Sequence, residues 1–224
     1  PFEARGDRVR LLCTPREPHE GDLVVVRVRP ENGWRPVHLQ NACGRPVSLY
    51  PGDLFVGVMG LRQSTEHVMG ALPDHLVGRG DSLSLLSEGG VIGTCVFAPA
   101  RHGPPPPVEV VGFLELGKAP CNLDVVRPPS MDAVTLPPVI LVAGTSTGVG
   151  KTTLAGRIIH VLSQMPGQTV GSIMLSGSGG KSDTLAHRAA GARFFHSFIE
   201  TGLCNSYGCP PDEFVERVDD LVYR

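Results

Sequence analysis

The sequence predicts two parts of different architecture. Residues 1–125 read as a mainly β, barrel- or sandwich-like domain, residues 126–138 as a Pro-rich linker, and residues 139–224 as an α/β domain with a parallel sheet. Three observations predict this division. Of the 21 prolines, 18 precede Val139, and proline is confined to turns, edges and linkers because it fixes φ and lacks an N–H. A Gly-Asp pair recurs at Gly21-Asp22, Gly52-Asp53 and Gly80-Asp81, each time at the entry to an apolar or alternating run. Beyond residue 138, strand-like and helix-like patterns alternate around one Gly-rich loop, as an α/β sheet requires.

In the first part each Gly-Asp pair predicts a turn feeding a strand. Gly supplies a positive φ, and Asp is expected to bond the backbone beyond the turn. The strands that follow are Leu-Val-Val-Val-Arg-Val from Leu23, Leu-Phe-Val-Gly-Val-Met from Leu54 and Ser-Leu-Ser-Leu-Leu from Ser82. Two more are expected over 91–97 and 108–116, separated by a loop with four consecutive prolines from Pro104 to Pro107. The residues between the pairs do not match one another, so the recurrence reads as shared turn chemistry and not as an internal repeat.

In the second part, the run of Val139, Ile140, Leu141, Val142 and Ala143 suits a strand buried on both faces of a parallel sheet. A helix is expected over 151–164, with Leu154, Ile158, Val161 and Leu162 on one face. A second strand follows over 168–175, a second helix over 183–190, a third strand over 193–199 and a last helix over 211–223. A sheet of three strands at most is incomplete for this fold class. The reading therefore expects the chain to continue beyond Arg224 into a strand ending in a metal-coordinating acid.

Composition excludes several function classes. With 20 basic and 22 acidic residues and a net charge of −2, no basic stripe is present and nucleic-acid binding is disfavoured. The longest strongly apolar run has five residues, against about 20 for a membrane-spanning helix. The N-terminus shows no apolar leader segment. Six cysteines without a C-x-x-C pair fit reduced thiols in a cytoplasmic protein. Only three residues are Lys, against 17 Arg, so a Lys in this chain marks a position where an ammonium matters.

The richest segment is Gly144-Thr145-Ser146-Thr147-Gly148-Val149-Gly150-Lys151-Thr152-Thr153. Placed between an apolar run and an amphipathic helix, it has the context of a phosphate-binding P-loop. Its backbone N–H groups and the helix N-terminus form an anion site. Lys151 is the candidate catalytic residue, reaching the β and γ phosphates, and the Thr152 hydroxyl is a candidate Mg²⁺ ligand. Lys181 lies in a Gly/Ser loop beyond the second strand, where open α/β sheets bind ligands, and is a candidate contact for phosphate or a substrate carboxylate. No Asn-Lys-x-Asp follows, so ATP is expected in preference to GTP.

The first Gly stands one residue earlier than in the common G-x-x-x-x-G-K-[ST] pattern. The form Gly-Thr-x-Thr-x-Val-Gly-Lys-Thr resembles the loop of the dethiobiotin synthetase and cobyrinic/cobyric acid synthase group of P-loop enzymes. That resemblance implies an Mg-ATP-dependent activation of a carboxylate-type group. Leu175-Ser-Gly-Ser178 and Ser182-Asp183-Thr-Leu185 are similar to elements that follow the second strand there, which implies Asp183 as a further Mg²⁺ ligand. The chain departs from that group in having Ser146 where its loop has Asp, and Ser172-Ile173 where it has Lys-Pro. Glu200-Thr-Gly-Leu-Cys-Asn-Ser-Tyr-Gly208 resembles a stretch of a poorly characterised P-loop family linked to D-amino-acid and dipeptide metabolism.

Other candidates carry less. Glu200 follows the third predicted strand in the manner of a strand-end acid. His196, Cys204 and Cys209 lack the close spacing of zinc ligands. His187 and Arg188 fall on the second helix, facing either the nucleotide or water. The expected function is that of an ATP- and Mg²⁺-dependent ligase- or synthetase-like enzyme acting on a small carboxylate or carbamate. A nucleotide-binding ATPase switch and an amino-acid-modifying enzyme are the alternatives. The expected partners are a nucleotide and a small substrate, with no nucleic acid or membrane, and a homodimer as the candidate assembly.

Overall fold

The computed structural model describes residues 9–30, 37–64, 67–101, 103–117, 119–127, 137–177 and 179–222. Ten strands come first: β1 (Val9–Leu12), β2 (Leu23–Val28), β3 (Val37–Gln40), β4 (Pro46–Leu49), β5 (Leu54–Met59), β6 (Met69–Ala71), β7 (Ser82–Leu85), β8 (Val91–Phe97), β9 (Pro107–Leu116) and β10 (Ala119–Pro120). The long β9 organises them. It pairs with β2 on one edge and with β7 and β1 on the other. β2 in turn pairs with β5, β5 runs parallel to β8, and β8 pairs with β7. The ladder therefore returns to its starting strand, and β9-β2-β5-β8-β7 close a barrel.

Alternation fills the interior. Val24, Val26 and Val28 of β2 point inward and are buried, as are Val108 and Val110 of β9. The register between β2 and β9 then shifts between Val25 and Val26, so that Val111 is an extra residue. Such a bulge reverses the inside-outside alternation and brings Phe113 into the core. Met59, Leu83, Leu85 and Ile92 complete the cluster.

The three Gly-Asp turns have one shared construction. Gly21, Gly52 and Gly80 have φ of 87°, 96° and 95°, the left-handed region that glycine tolerates. Each Asp side chain accepts a 2.8 Å bond from the N–H three residues before it: Asp22 from His19, Asp53 from Tyr50 and Asp81 from Gly78. The carboxylates thus tie the turns backwards, and that of Asp22 also meets the Arg16 guanidinium at 2.9 Å and accepts from Asn122 Nδ2 at 3.4 Å. Each glycine N–H docks on a neighbouring strand, Gly21 to Met59, Gly52 to Val28 and Gly80 to Val110.

The rest of the chain forms α1 (Lys151–Ser163), β11 (Gly171–Met174), α2 (Ser182–Ala190), β12 (Phe194–Ser197), a 3-10 turn at Phe198–Thr201 and α3 (Pro211–Val222). β11 and β12 pair in parallel across the α2 crossover, a βαβ unit. The predicted strand over 139–143 is not formed. Val139, Ile140 and Leu141 are 71%, 60% and 75% exposed, because no described strand supplies a ladder beside them and a strand has no hydrogen bonds of its own to hold it. The buried face of α1 also differs from the one predicted. Leu154 and Val161 are exposed, and Ile159 is the buried residue of a helix packed against α2. Of the predicted linker, 128–136 lie outside the described residues. Among the described residues, no helix is long and apolar enough to cross a membrane.

The second part is seated on the barrel. Cys204 enters the core cluster of Val58, Val68, Leu86 and Val91. It lies so close to Gly60 that a Cβ there would stand 2.5 Å from its sulfur. On α3, Arg217 bonds to Glu213, to Asp124 beside the barrel's last strand and to the Thr201 carbonyl.

Candidate phosphate-loop site

Residues 143–150 form an exposed loop that ends at the first turn of α1. Its curl depends on glycine. Gly148 and Gly150 have φ of 83° and 93°, a conformation that costs an L-residue roughly 1–2 kcal/mol. At Gly144 a Cβ would stand 2.8 Å from Val149 Cγ2 and 3.0 Å from Lys151 Cγ, so the loop folds back until the lysine stem covers its first glycine. The Lys151 ammonium then donates to the Ser146 carbonyl at 2.6 Å.

The N-cap of α1 is Gly150, with no side-chain cap and no acidic residue in the first turn. The first N–H groups of a helix have no intrahelical acceptor, and the macrodipole places partial positive charge there. Lys151 adds a full charge at the same end. Loop curvature, uncapped amides and an ammonium within reach together fit a phosphate, which would take over the lysine from the Ser146 carbonyl.

The remaining predicted residues are distributed as follows. Thr145, Ser146, Thr147 and Val149 lie in the exposed loop, and Thr152 and Thr153 lie in the first turn of α1. Asp183 is exposed in the first turn of α2. The last residue of α1, Ser163, bonds the carbonyl of Ala190, the last of α2, at 3.4 Å, so both helices begin away from that junction. No hydrogen bond among the described residues joins Asp183 to Thr152. Ser178 lies outside the described residues. Thr152 and Asp183 carry hard oxygens of the kind that Mg²⁺ takes together with phosphate oxygens and water, and no described group of three His, Cys, Asp or Glu forms a self-sufficient metal cage.

Lys181 turns to the barrel. Its ammonium donates to the Ala42 carbonyl at 2.6 Å, and its backbone N–H donates to Gln40 Oε1 at 2.7 Å. His187 is buried and not turned to water, and its Nδ1 lies 2.6 Å from the Ser172 hydroxyl. Glu200 is engaged locally, closing a capping box with Ser197 and meeting His196 Nδ1 at 2.8 Å.

Sequence reasoning missed two groups that join the parts. One is Gln40. The other is Glu20, whose Oε1 accepts from Asn205 Nδ2 at 2.6 Å and from Cys204 Sγ at 3.2 Å. Burial pushes the Glu20 carboxyl above its ordinary range, against the opposing effect of those two bonds. Burial, and then the adjacent Glu20 carboxylate, push the Cys204 thiol up to about 12. Cys204 is therefore a protonated packing group at neutral pH and not a thiolate nucleophile. Neither group carries a local signal, because each contact spans more than a hundred residues of sequence. Compared with family models, curated proteins and solved structures, the chain matches none.

Proposed function

We propose that the chain is an Mg-ATP-dependent enzyme of the ligase or synthetase type. The single observation that carries this reading is the Lys151 ammonium held over a glycine-curled loop at the uncapped start of α1. The loop amides and Lys151 would hold the β and γ phosphates, and Thr152 and Asp183 would hold Mg²⁺. A bound ATP supplies the phosphoryl group. A substrate carboxylate or carbamate oxygen would form the new bond to the γ-phosphorus in line with the bond to ADP that breaks. Lys151 stabilises charge as it spreads over the transferring oxygens.

Hydroxylamine trapping tests the reaction class. A carboxylate activator incubated with Mg-ATP and candidate acids gives a substrate-dependent hydroxamate; ATP hydrolysis with no hydroxamate for any acid contradicts this reading. The second reading, a nucleotide-driven switch, draws on the bonds from Lys181 and Ser182 to the barrel. It predicts hydrolysis without trapping.

A further inference from the structure

The start of α2 has no cap of its own. Its N-cap residue is Lys181, which makes no side-chain capping bond, and Lys is a poor capping residue because it has no acceptor. The cap comes from 141 residues away. Gln40, the last residue of β3, accepts from the Lys181 N–H through Oε1 at 2.7 Å and donates to the Ser182 hydroxyl through Nε2 at 2.9 Å. Both ends of one amide are thus spent on the N-cap residue and the first residue of the helix.

The rest of the β3–β4 hairpin supports the same contact. Asn41 Oδ1 accepts from the N–H groups of Cys43 and Arg45 at 3.0 Å each, which fixes the turn. Lys181 reaches over it to the Ala42 carbonyl. Gly44 lies so close to α2 that a Cβ would stand 2.4 Å from Leu185 Cδ1 and 3.0 Å from Lys181 Cβ. The hairpin is tied to the barrel by the Gln40 N–H, which donates to the Glu88 carbonyl at 2.8 Å. One residue further on, Gly89 meets the loop before α2: a Cβ there would stand 1.9 Å from the Gly179 carbonyl oxygen, and Ser87 Oγ donates to that oxygen at 3.4 Å. The hairpin therefore packs on α2 at Gly44, and the barrel backbone meets the loop before α2 at Gly89, where a backbone carbonyl leaves no room for a side chain.

We propose that the β3–β4 hairpin is a cap for α2 supplied by the barrel, with Gln40 as the positioning residue that sets where Asp183 stands. The inference rests on the reading of Asp183 as a metal ligand. Gln40 touches neither nucleotide nor metal. It acts through the first turn of α2, whose second residue is Asp183, and so makes Mg²⁺ binding depend on barrel contact. Phosphate binding at the Lys151 loop does not depend on it.

The test compares the full chain with Gln40→Met, which keeps length and loses both bonds, and Gln40→Glu, which keeps an acceptor for the Lys181 N–H and can accept from the Ser182 hydroxyl. Amide hydrogen exchange over 181–185 is read first, without ligand. Loss of a cap in Gln40→Met should speed it about fivefold, and Gln40→Glu should restore it to within about twofold of the parent. ATP binding is then titrated with Mg²⁺. Gln40→Met should raise the Mg²⁺ needed for half-maximal binding by about fivefold, leave Mg²⁺-free ATP affinity unchanged, and be rescued by Gln40→Glu. Unchanged exchange in Gln40→Met overturns the cap. Faster exchange with an unchanged Mg²⁺ titration, or an equal loss of Mg²⁺-free affinity, overturns the positioning of Asp183. If the parent chain binds no ATP at any Mg²⁺ concentration, the nucleotide reading falls together with the role of Asp183, and exchange alone still decides the cap.

Discussion

The barrel and the segment after residue 138 solve the burial of apolar side chains in opposite ways. In the barrel each strand has a neighbour on both edges through ring closure, and both core clusters are made of barrel residues with Cys204 as the one addition. Among the described residues after 138, only β11 and β12 pair. Val139, Ile140, Leu141, Leu154, Val161 and Phe194 stay exposed. The hydrophobic content of the two parts is not what differs. For the run from Val139 the difference is that no described strand supplies a ladder beside it, because an apolar strand is buried only where neighbouring backbone satisfies its N–H and C=O groups.

The largest test of that contrast sets a buried barrel residue beside an exposed residue of α1. Phe113→Ala should lower unfolding stability in urea by about 3–5 kcal/mol, whereas Leu154→Ala on exposed α1 should change it by no more than about 0.5 kcal/mol. Equal effects would break the comparison.

The next test concerns the turns. Gly52→Ala meets no atom within 4 Å, so it reports backbone strain alone, about 1–2 kcal/mol. Gly21→Ala has the same strain and also drives a Cβ to 2.5 Å from Asn122 Oδ1. That displaces the Asn122 bonds to the Glu20 carbonyl and the Asp124 N–H, and the total should exceed the Gly52 value by about 1 kcal/mol. Thermal or urea unfolding of the two variants checks the order.

A smaller effect sharpens the seam between the parts. The folded Glu20 carboxyl is raised above 4.5, so the folded chain binds its proton more tightly than the unfolded chain. The stability from this group is fully present below pH 4.5 and is lost as pH rises through the raised folded value. Gln at this position keeps an acceptor for Asn205 without the charge. Glu20→Gln should therefore gain on the parent between pH 5 and pH 7, seen as a flatter pH dependence of urea unfolding midpoints. A parallel dependence in both proteins would remove Glu20 from the seam's energetics.

Local chemistry was legible in the sequence, and long-range partners were not. The three Gly-Asp turns and the strands they feed were readable, because a positive φ and a nearby carboxylate are properties of two adjacent residues. The direction of the Asp bond was not, since a turn can be tied from either side. The bulge at Val111 was hidden, because apolar residues at 108, 110, 111, 113 and 114 fit either register. The strand expected over 139–143 was inferred from composition alone, and composition carries no information on whether a neighbour is present. Within the candidate site, the loop and Lys151 were readable from spacing. Gln40, Glu20 and the barrel-facing role of Lys181 were not, because their partners lie 139 to 185 positions away.

Direct titration of Mg-ATP binding to the parent chain and to Lys151→Ala decides whether the loop ending in Lys151 holds phosphate. Saturable binding by the parent and at least about a tenfold loss in the variant are expected, in line with removal of a charge-assisted bond of roughly 1.5–3 kcal/mol. Unfolding midpoints should stay the same, because among the described residues the side chain bonds within its own exposed loop. Equal Mg-ATP affinity in the two proteins would contradict phosphate binding by that loop.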